Sequence, residues 1–195
     1  MENMKQSLII LGIILFVSIN INMKAQDDKR LIFKFTIDAP VEEVYKSWTT
    51  LEGIKSFFAP DGSVELKNFG NFHIYFFPDA PAGQRGSENN VVLSYEENKM
   101  FSFTWDFPPS LMDLRNNQRT VVLIRMNKID ENKTEFLFIQ SGWGSSEDWI
   151  KGYNYFKKAW GDVVLARLKY KFEKGAIDWN NLPDYSSYVV EALED

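Results

Sequence analysis

The sequence predicts an α+β fold in which a strongly curved antiparallel sheet packs on one long C-terminal helix. Three observations predict it. "RLIFKFTID" places Leu31, Phe33, Phe35 and Ile37 on one face and Lys34 and Thr36 on the other, the period of a half-buried strand. Three later stretches read as successive hairpins, which implies antiparallel pairing. Finally, "SGWGSSEDWIKGYNYFKKAWGDVVLARLKYKFEKG" runs without proline for about seven helical turns, with an aromatic residue every three or four positions. One helix of that length must cover a face of the sheet.

After the first strand, "APVEEVYKSW" reads as a short helix. Pro40 suits its first turn, Glu42 and Glu43 suit its positive end, and Val41, Val44, Tyr45 and Trp48 share helical spacing. "LEGIKSFFAP" reads as a second, stopped by Pro60. "SVELKNFG" and "NFHIYFFPD" form a hairpin turning at Asn68 to Asn71, and "APAGQRG" is a flexible tip. A second hairpin turns at Glu96 to Lys99, "PPSLMDLRNNQ" is a longer loop, and a third hairpin turns at Asp130 to Lys133. The glycines of "GWGSS" mark the step into the long helix, with Ser145 or Ser146 as N-cap. The tail, 176–195, is less regular, with a short last helix after Ser186 or Ser187.

Residues 1–26 have a different character. Lys5 precedes an apolar run from Leu8 to Ile21 that is shorter than the roughly 20 residues of a membrane span, with Ala25 and Gln26 at a cleavage position. This is the layout of a signal peptide; the competing reading is an uncleaved anchor. The expectation is an exported protein, periplasmic or secreted, with no stable membrane span after cleavage. One domain, 27–175, and the tail remain. That chain carries 20 basic and 26 acidic side chains, a balance of −6 that disfavours nucleic acid as a partner. The absence of cysteine excludes disulfides and Cys–His zinc sites. With His73 the only histidine, neither a metal site nor a cofactor is predicted.

"TIDAPVEEVYKSWTTLEGIKSFFAP" resembles the opening of the SRPBCC, or START-like, superfamily, above all the branch named for the activator of heat-shock-protein-ninety ATPase. The matching features are Ala39-Pro40, Val44-Tyr45, the step from Thr49 to Ile54, and Phe57-Phe58. Near the other end stand the strand Thr134 to Gln140, then Gly142-Trp143. The helix positions Trp160, Val164, Leu168 and Phe172 follow, with "EKG" after them. The resemblance covers about residues 30 to 175. It implies a helix-grip fold, a sheet gripping the long helix with a cavity between them. Superfamily functions include lipid and hormone carriage, polyketide cyclisation and co-chaperone activity, so the fold alone does not decide among them. A leader argues against the namesake role, whose partner is cytosolic.

Candidate ligand-binding residues lie on the aromatic faces. On the long helix Trp149, Tyr153, Phe156 and Trp160 fall within about 100° of one another. Facing them are Phe101, Phe103 and Trp105 of "FSFTWDF" and Phe136 and Phe138 of "FLFIQSGW". The plain reading is a packed core; the other is a cavity for a hydrophobic small molecule or lipid. Apolar burial at about 0.8 kcal/mol per methylene, against an association cost of at least about 4 kcal/mol, leaves a ten-carbon ligand near millimolar affinity. A carrier should therefore prefer long chains or polycyclic ligands. Arg167 falls at the same helical angle as Trp149. It either reaches water along its stem, pairs with an internal acid such as Asp106, or takes the anionic head of an amphipathic ligand. His73 reads as an ordinary strand residue, and no nucleophile motif accompanies it, so no catalytic set is assigned. Asp106, Asp113 and Asp148 could serve acid–base chemistry if buried. The sequence thus points to an exported binder, with two alternatives: an enzyme of the polyketide-cyclase kind in the same cavity, or a ligand-free protein-interaction module.

Overall fold

The computed structural model describes residues 29–193; the leader reading, residues 1–26, lies outside them. The predicted architecture is present. Strand β1 (Leu31–Ile37) leads to helices α1 (Val41–Thr49) and α2 (Leu51–Phe57). Then come β2 (Asp61–Val64), β3 (Phe72–Tyr75), β4 (Gly86–Ser87), β5 (Val92–Glu96) and β6 (Met100–Trp105). A 3₁₀ turn (Pro109–Leu111) and helix α3 (Met112–Asn117) precede β7 (Thr120–Asp130) and β8 (Lys133–Ser141). The long helix follows as α4 (Glu147–Lys158), a π-helical segment (Ala159–Val164) and α5 (Leu165–Lys174).

The strands form two antiparallel sheets rather than one meander. The larger has the order β1-β8-β7-β6-β5 and the smaller β2-β3-β4. A single bridge between Asn71 and Val91, with Phe72 N–H donating to the Asn90 carbonyl at 2.9 Å, continues the curvature from one to the other. The hairpins at 96–99 and 130–133 stand where their turn residues put them. "PPSLMDLRNNQ" holds the short helix α3 instead of a loop. Ser146 occupies the N-cap of α4, yet its side chain makes no capping bond.

Trp48, fully buried, anchors the core. Phe57, Phe58, Phe103, Phe136 and Phe138 surround it, with ring centroids 5.1 to 6.4 Å away. Such aromatic pairs add about 0.5–1.5 kcal/mol each beyond area burial. The interior is therefore filled around Trp48, and the helical stripe does close a core. The tail also packs. Trp179 Nε1 donates to the Lys55 carbonyl at 2.6 Å, and the Leu193 N–H donates to Ile32, covering part of the β1 edge. Gly161 lets the tail approach the helix: a Cβ there would stand 2.4 Å from the Val190 carbonyl oxygen. Among the described residues no helix is long and apolar enough to cross a membrane.

Candidate functional site: a cavity at the π segment of the long helix

The long helix is not a uniform α-helix. Across Ala159–Val164 its hydrogen bonds reach one residue further. A π turn inserts one residue into the helical count and rotates every later position by about 100°. Upstream, Gly152, Phe156 and Trp160 are buried at intervals of four. Downstream the buried positions are Val164, Leu165, Ala166 and Leu168, while Arg167 is half-buried.

At this segment the close packing stops. A cavity of about 190 Å³ opens between the helix and the far end of the sheet. Ala159, Trp160 and Val164 form its helical wall with Phe156 and Tyr155 from α4. Trp105 and Phe107 come from the end of β6, Phe58 from the end of α2, and Phe76 and Phe77 from the segment after β3. Trp105 and Trp160 lie 5.0 Å apart, and Phe58 is 5.6 and 5.7 Å from them. A buried polar chain ties the Trp160 indole to the Trp105 backbone. Trp160 Nε1 donates to Gln140 Oε1 at 2.8 Å, and Gln140 Nε2 donates to Thr120 Oγ1 at 2.8 Å. Thr120 Oγ1 in turn donates to the Trp105 carbonyl at 3.1 Å. Gln140 and Thr120 are fully buried, so losing one partner strands a polar atom.

One end of the cavity is polar. Asp106, 3% exposed, accepts a hydrogen bond from Ser87 Oγ at its Oδ1. Ser87 Oγ accepts from Asn90 Nδ2 at 2.6 Å, so its own proton is committed to Asp106. Arg115 Nη1 stands 3.3 Å from Asp106 Oδ2 and donates to the Phe107 carbonyl at 2.6 Å. Its Nη2 donates to the Gly86 carbonyl at 2.6 Å. Burial pushes the Asp106 carboxyl above its ordinary range, against the opposing pull of the Ser87 hydroxyl and the Arg115 and Arg119 guanidinium groups. Among the described residues no group of three or more His, Asp or Glu is arranged to hold a metal ion.

The nine predicted aromatic site residues divide into three sets. Trp105, Phe156 and Trp160 line the cavity. Phe101, Phe103, Phe136 and Phe138 are fully buried in the core behind it, Phe138 resting 4.7 Å from Trp160. Trp149 and Tyr153 pack nearer the start of α4, 5.1 Å from Phe107 and 5.2 Å from Trp143 respectively. Arg167 does not line the cavity. Its guanidinium lies 5.1 and 5.0 Å from the rings of Trp179 and Tyr185, and Nη2 donates to Tyr185 Oη at 3.0 Å. Of the three readings of Arg167, pairing with Asp106 fails, because Asp106 is paired with Arg115. The helical wheel misplaced Arg167 because the π segment lies between it and Trp149. His73 is a strand residue 3.5 Å from Tyr75 Oη, with its pKa lowered by burial. Asp113 and Asp148 are exposed. Sequence reasoning missed Ser87 and Arg115; they meet Asp106 only through the folded sheet. Phe58 and Phe107 carried a signal, as part of the aromatic pair and of the "FSFTWDF" alternation.

Residues 38–173 match the family described as Activator of Hsp90 ATPase homolog 1-like protein. No curated protein matches the chain. Among solved structures, the Aha1 dimer from Colwellia psychrerythraea is similar at 20% identity and a TM-score of 0.54, covering 75% of this chain and 98% of that one. An HSP90 activator from Plasmodium falciparum gives 17% identity and a TM-score of 0.55, covering 75% and 97%. A protein from Staphylococcus saprophyticus gives 18% and 0.55, covering 76% and 94%. At these identities the likenesses speak for the helix-grip fold. With more than half of its length matched by the family, the chain belongs to the Activator of Hsp90 ATPase homolog 1-like family of START-like proteins.

Proposed function

We propose that this protein is a non-enzymatic binder of a compact hydrophobic or amphipathic molecule, held in the cavity between sheet and long helix. The observation that carries this reading is the cavity, walled by aromatic side chains with one cluster of placed polar groups. Its size sets the ligand. At about 190 Å³ it is roughly a quarter larger than the engineered cavity of about 150 Å³ in another protein that holds benzene. About one ring with a small substituent fits; a long alkyl chain would leave most of its length outside. This narrows the expectation of long-chain cargo. Compact ligands gain little from apolar burial alone, as the ten-carbon arithmetic shows, so the polar end must supply the remaining affinity.

Bromobenzene tests the reading, since its heavy atom quenches nearby indoles. Quenching of Trp105 and Trp160 is expected to saturate, with a dissociation constant weaker than the millimolar value of a ten-carbon ligand. Ala159→Phe, which fills the cavity, should make the quenching linear and collisional. Linear quenching in the unsubstituted protein would sink the proposal.

The protein is further proposed to be exported, on the strength of Lys5, the apolar run and the polar stretch after it. Protein purified from its native host should lack about 25 N-terminal residues by intact mass. Full-length chain in the membrane fraction would count for an anchor instead. The buried Asp106 carboxyl beside Ser87 favours a second reading, an enzyme using Asp106 as acid or base in the same cavity. Turnover of a bound cyclic ligand, lost in Asp106→Asn with binding retained, would select it.

A further inference from the structure

The geometry points to a ligand class: a compact aromatic molecule carrying a neutral hydrogen-bond donor, such as a phenol, with its hydroxyl against Asp106. This rests on the cavity reading and deepens it.

The donors and acceptors at the polar end decide the matter. Ser87 spends its only proton on Asp106 Oδ1, because Asn90 Nδ2 already donates to its oxygen. Arg115 spends Nη1 on the Phe107 carbonyl, beside Asp106 Oδ2, and Nη2 on the Gly86 carbonyl. Most of the donors at the polar end are therefore turned on the protein's own acceptors. A carboxylate offers about four acceptor positions, and Ser87, Asn90 and Arg115 engage three. The surplus is acceptor capacity on Asp106, which lines the cavity.

Charge narrows the class further. Asp106 is matched by Arg115, so an added cation has no unpaired charge to meet. An added anion meets the Asp106 carboxylate and would have to share an Arg115 guanidinium that already serves Asp106 and two backbone carbonyls. A neutral O–H or N–H fits without either cost. Beyond that group the walls are aromatic faces, Trp105 and Trp160 among them, which suit a flat ring. The volume admits about one ring with a small substituent.

The test uses the unsubstituted protein and three probes of one shape: 4-methylphenol, p-xylene and 4-methylbenzoate, titrated at pH 7 by ligand-observed NMR. The phenol, neutral at this pH, is expected to bind at least fivefold tighter than p-xylene, and the benzoate weaker than both. In Asp106→Leu, close to an isostere, the preference for the phenol should vanish while p-xylene still binds. Because Asp106→Leu leaves Arg115 without its partner and can fail to fold, the three-probe series alone decides. Equal affinities for the phenol and p-xylene would overturn this inference and leave the cavity reading standing. Tighter binding of the benzoate would also overturn it, assigning recognition to Arg115. Binding of none of the three would overturn both.

Discussion

Trp160→Ala is expected to lower the unfolding free energy by about 3–5 kcal/mol, the range for truncating a large buried aromatic side chain. Trp160 is 1% exposed and touches Trp105, Phe58, Phe138 and Phe156, all within 6.4 Å between ring centroids. Its removal also strands Gln140 Oε1, an acceptor in a fully buried residue. Trp160→Phe separates the two effects. It keeps most of the ring volume and loses the N–H, so a smaller loss of about 1–3 kcal/mol is expected. Denaturant midpoints for the two variants, at unchanged slope, measure the difference. Equal losses would mean that the polar chain through Gln140 and Thr120 carries the whole effect. The alanine variant should also enlarge the cavity and shift its preference from one ring towards two.

Most of the fold was legible because its signals are local. The turns at 96–99 and 130–133 sit between clean alternations, and the paired strands carry the predicted faces: Phe101 opposite Ile124, Phe138 opposite Phe33. Helix α3 was not legible. It has six residues, no side-chain cap and no buried residue, so no apolar period marks it. The break into two sheets was equally hidden, since β4 is two residues long and pairs with β3 across a ten-residue excursion.

The site was legible only on its apolar side. Trp105, Phe156 and Trp160 announce themselves by periodicity, but periodicity cannot separate a cavity wall from a packed core. Phe101 and Phe103 share the strand face of Trp105 and are packed solid. What decides is the π segment, which turns the helix at Ala159–Val164 and carries Arg167 away to Trp179 and Tyr185. A wheel drawn at a constant 100° cannot contain that rotation. The polar end depends on Ser87, Asp106 and Arg115, which come from a two-residue strand, a strand end and a short helix. Nothing in the local sequence of any one of them refers to the other two.

Arg115→Met should cost about 3–5 kcal/mol at neutral pH, the penalty for removing one partner of a buried ion pair. The side chains of Arg115 and Asp106 are 14% and 4% exposed, so solvent screens the pair little. Methionine keeps an apolar stem of similar reach, and the packing is largely preserved. The Asp106 carboxylate then keeps the hydrogen bonds of Ser87 and Asn90 and the more distant charge of Arg119, but loses its ion-pair partner. The loss should depend on pH in a direction that identifies its cause. The Asp106 pKa is already raised by burial, and losing the guanidinium raises it further. A carboxyl with a folded pKa above its unfolded value binds more protons when folded. Stability then falls as pH rises through the window between the two values. The charge part of the penalty is absent where Asp106 is protonated in both proteins, grows as pH rises between their two folded values, and is complete above the variant's. Melting temperatures of Arg115→Met and the unsubstituted protein should therefore converge on acidification. Adding Asp106→Asn to Arg115→Met should recover part of the loss at neutral pH, because it removes the stranded charge. If Arg115→Met costs the same at pH 4 and pH 7, with no recovery in the double variant, the damage comes from the unpaired Gly86 and Phe107 carbonyls. The charge of Asp106 would then have no part in holding the cavity's polar end.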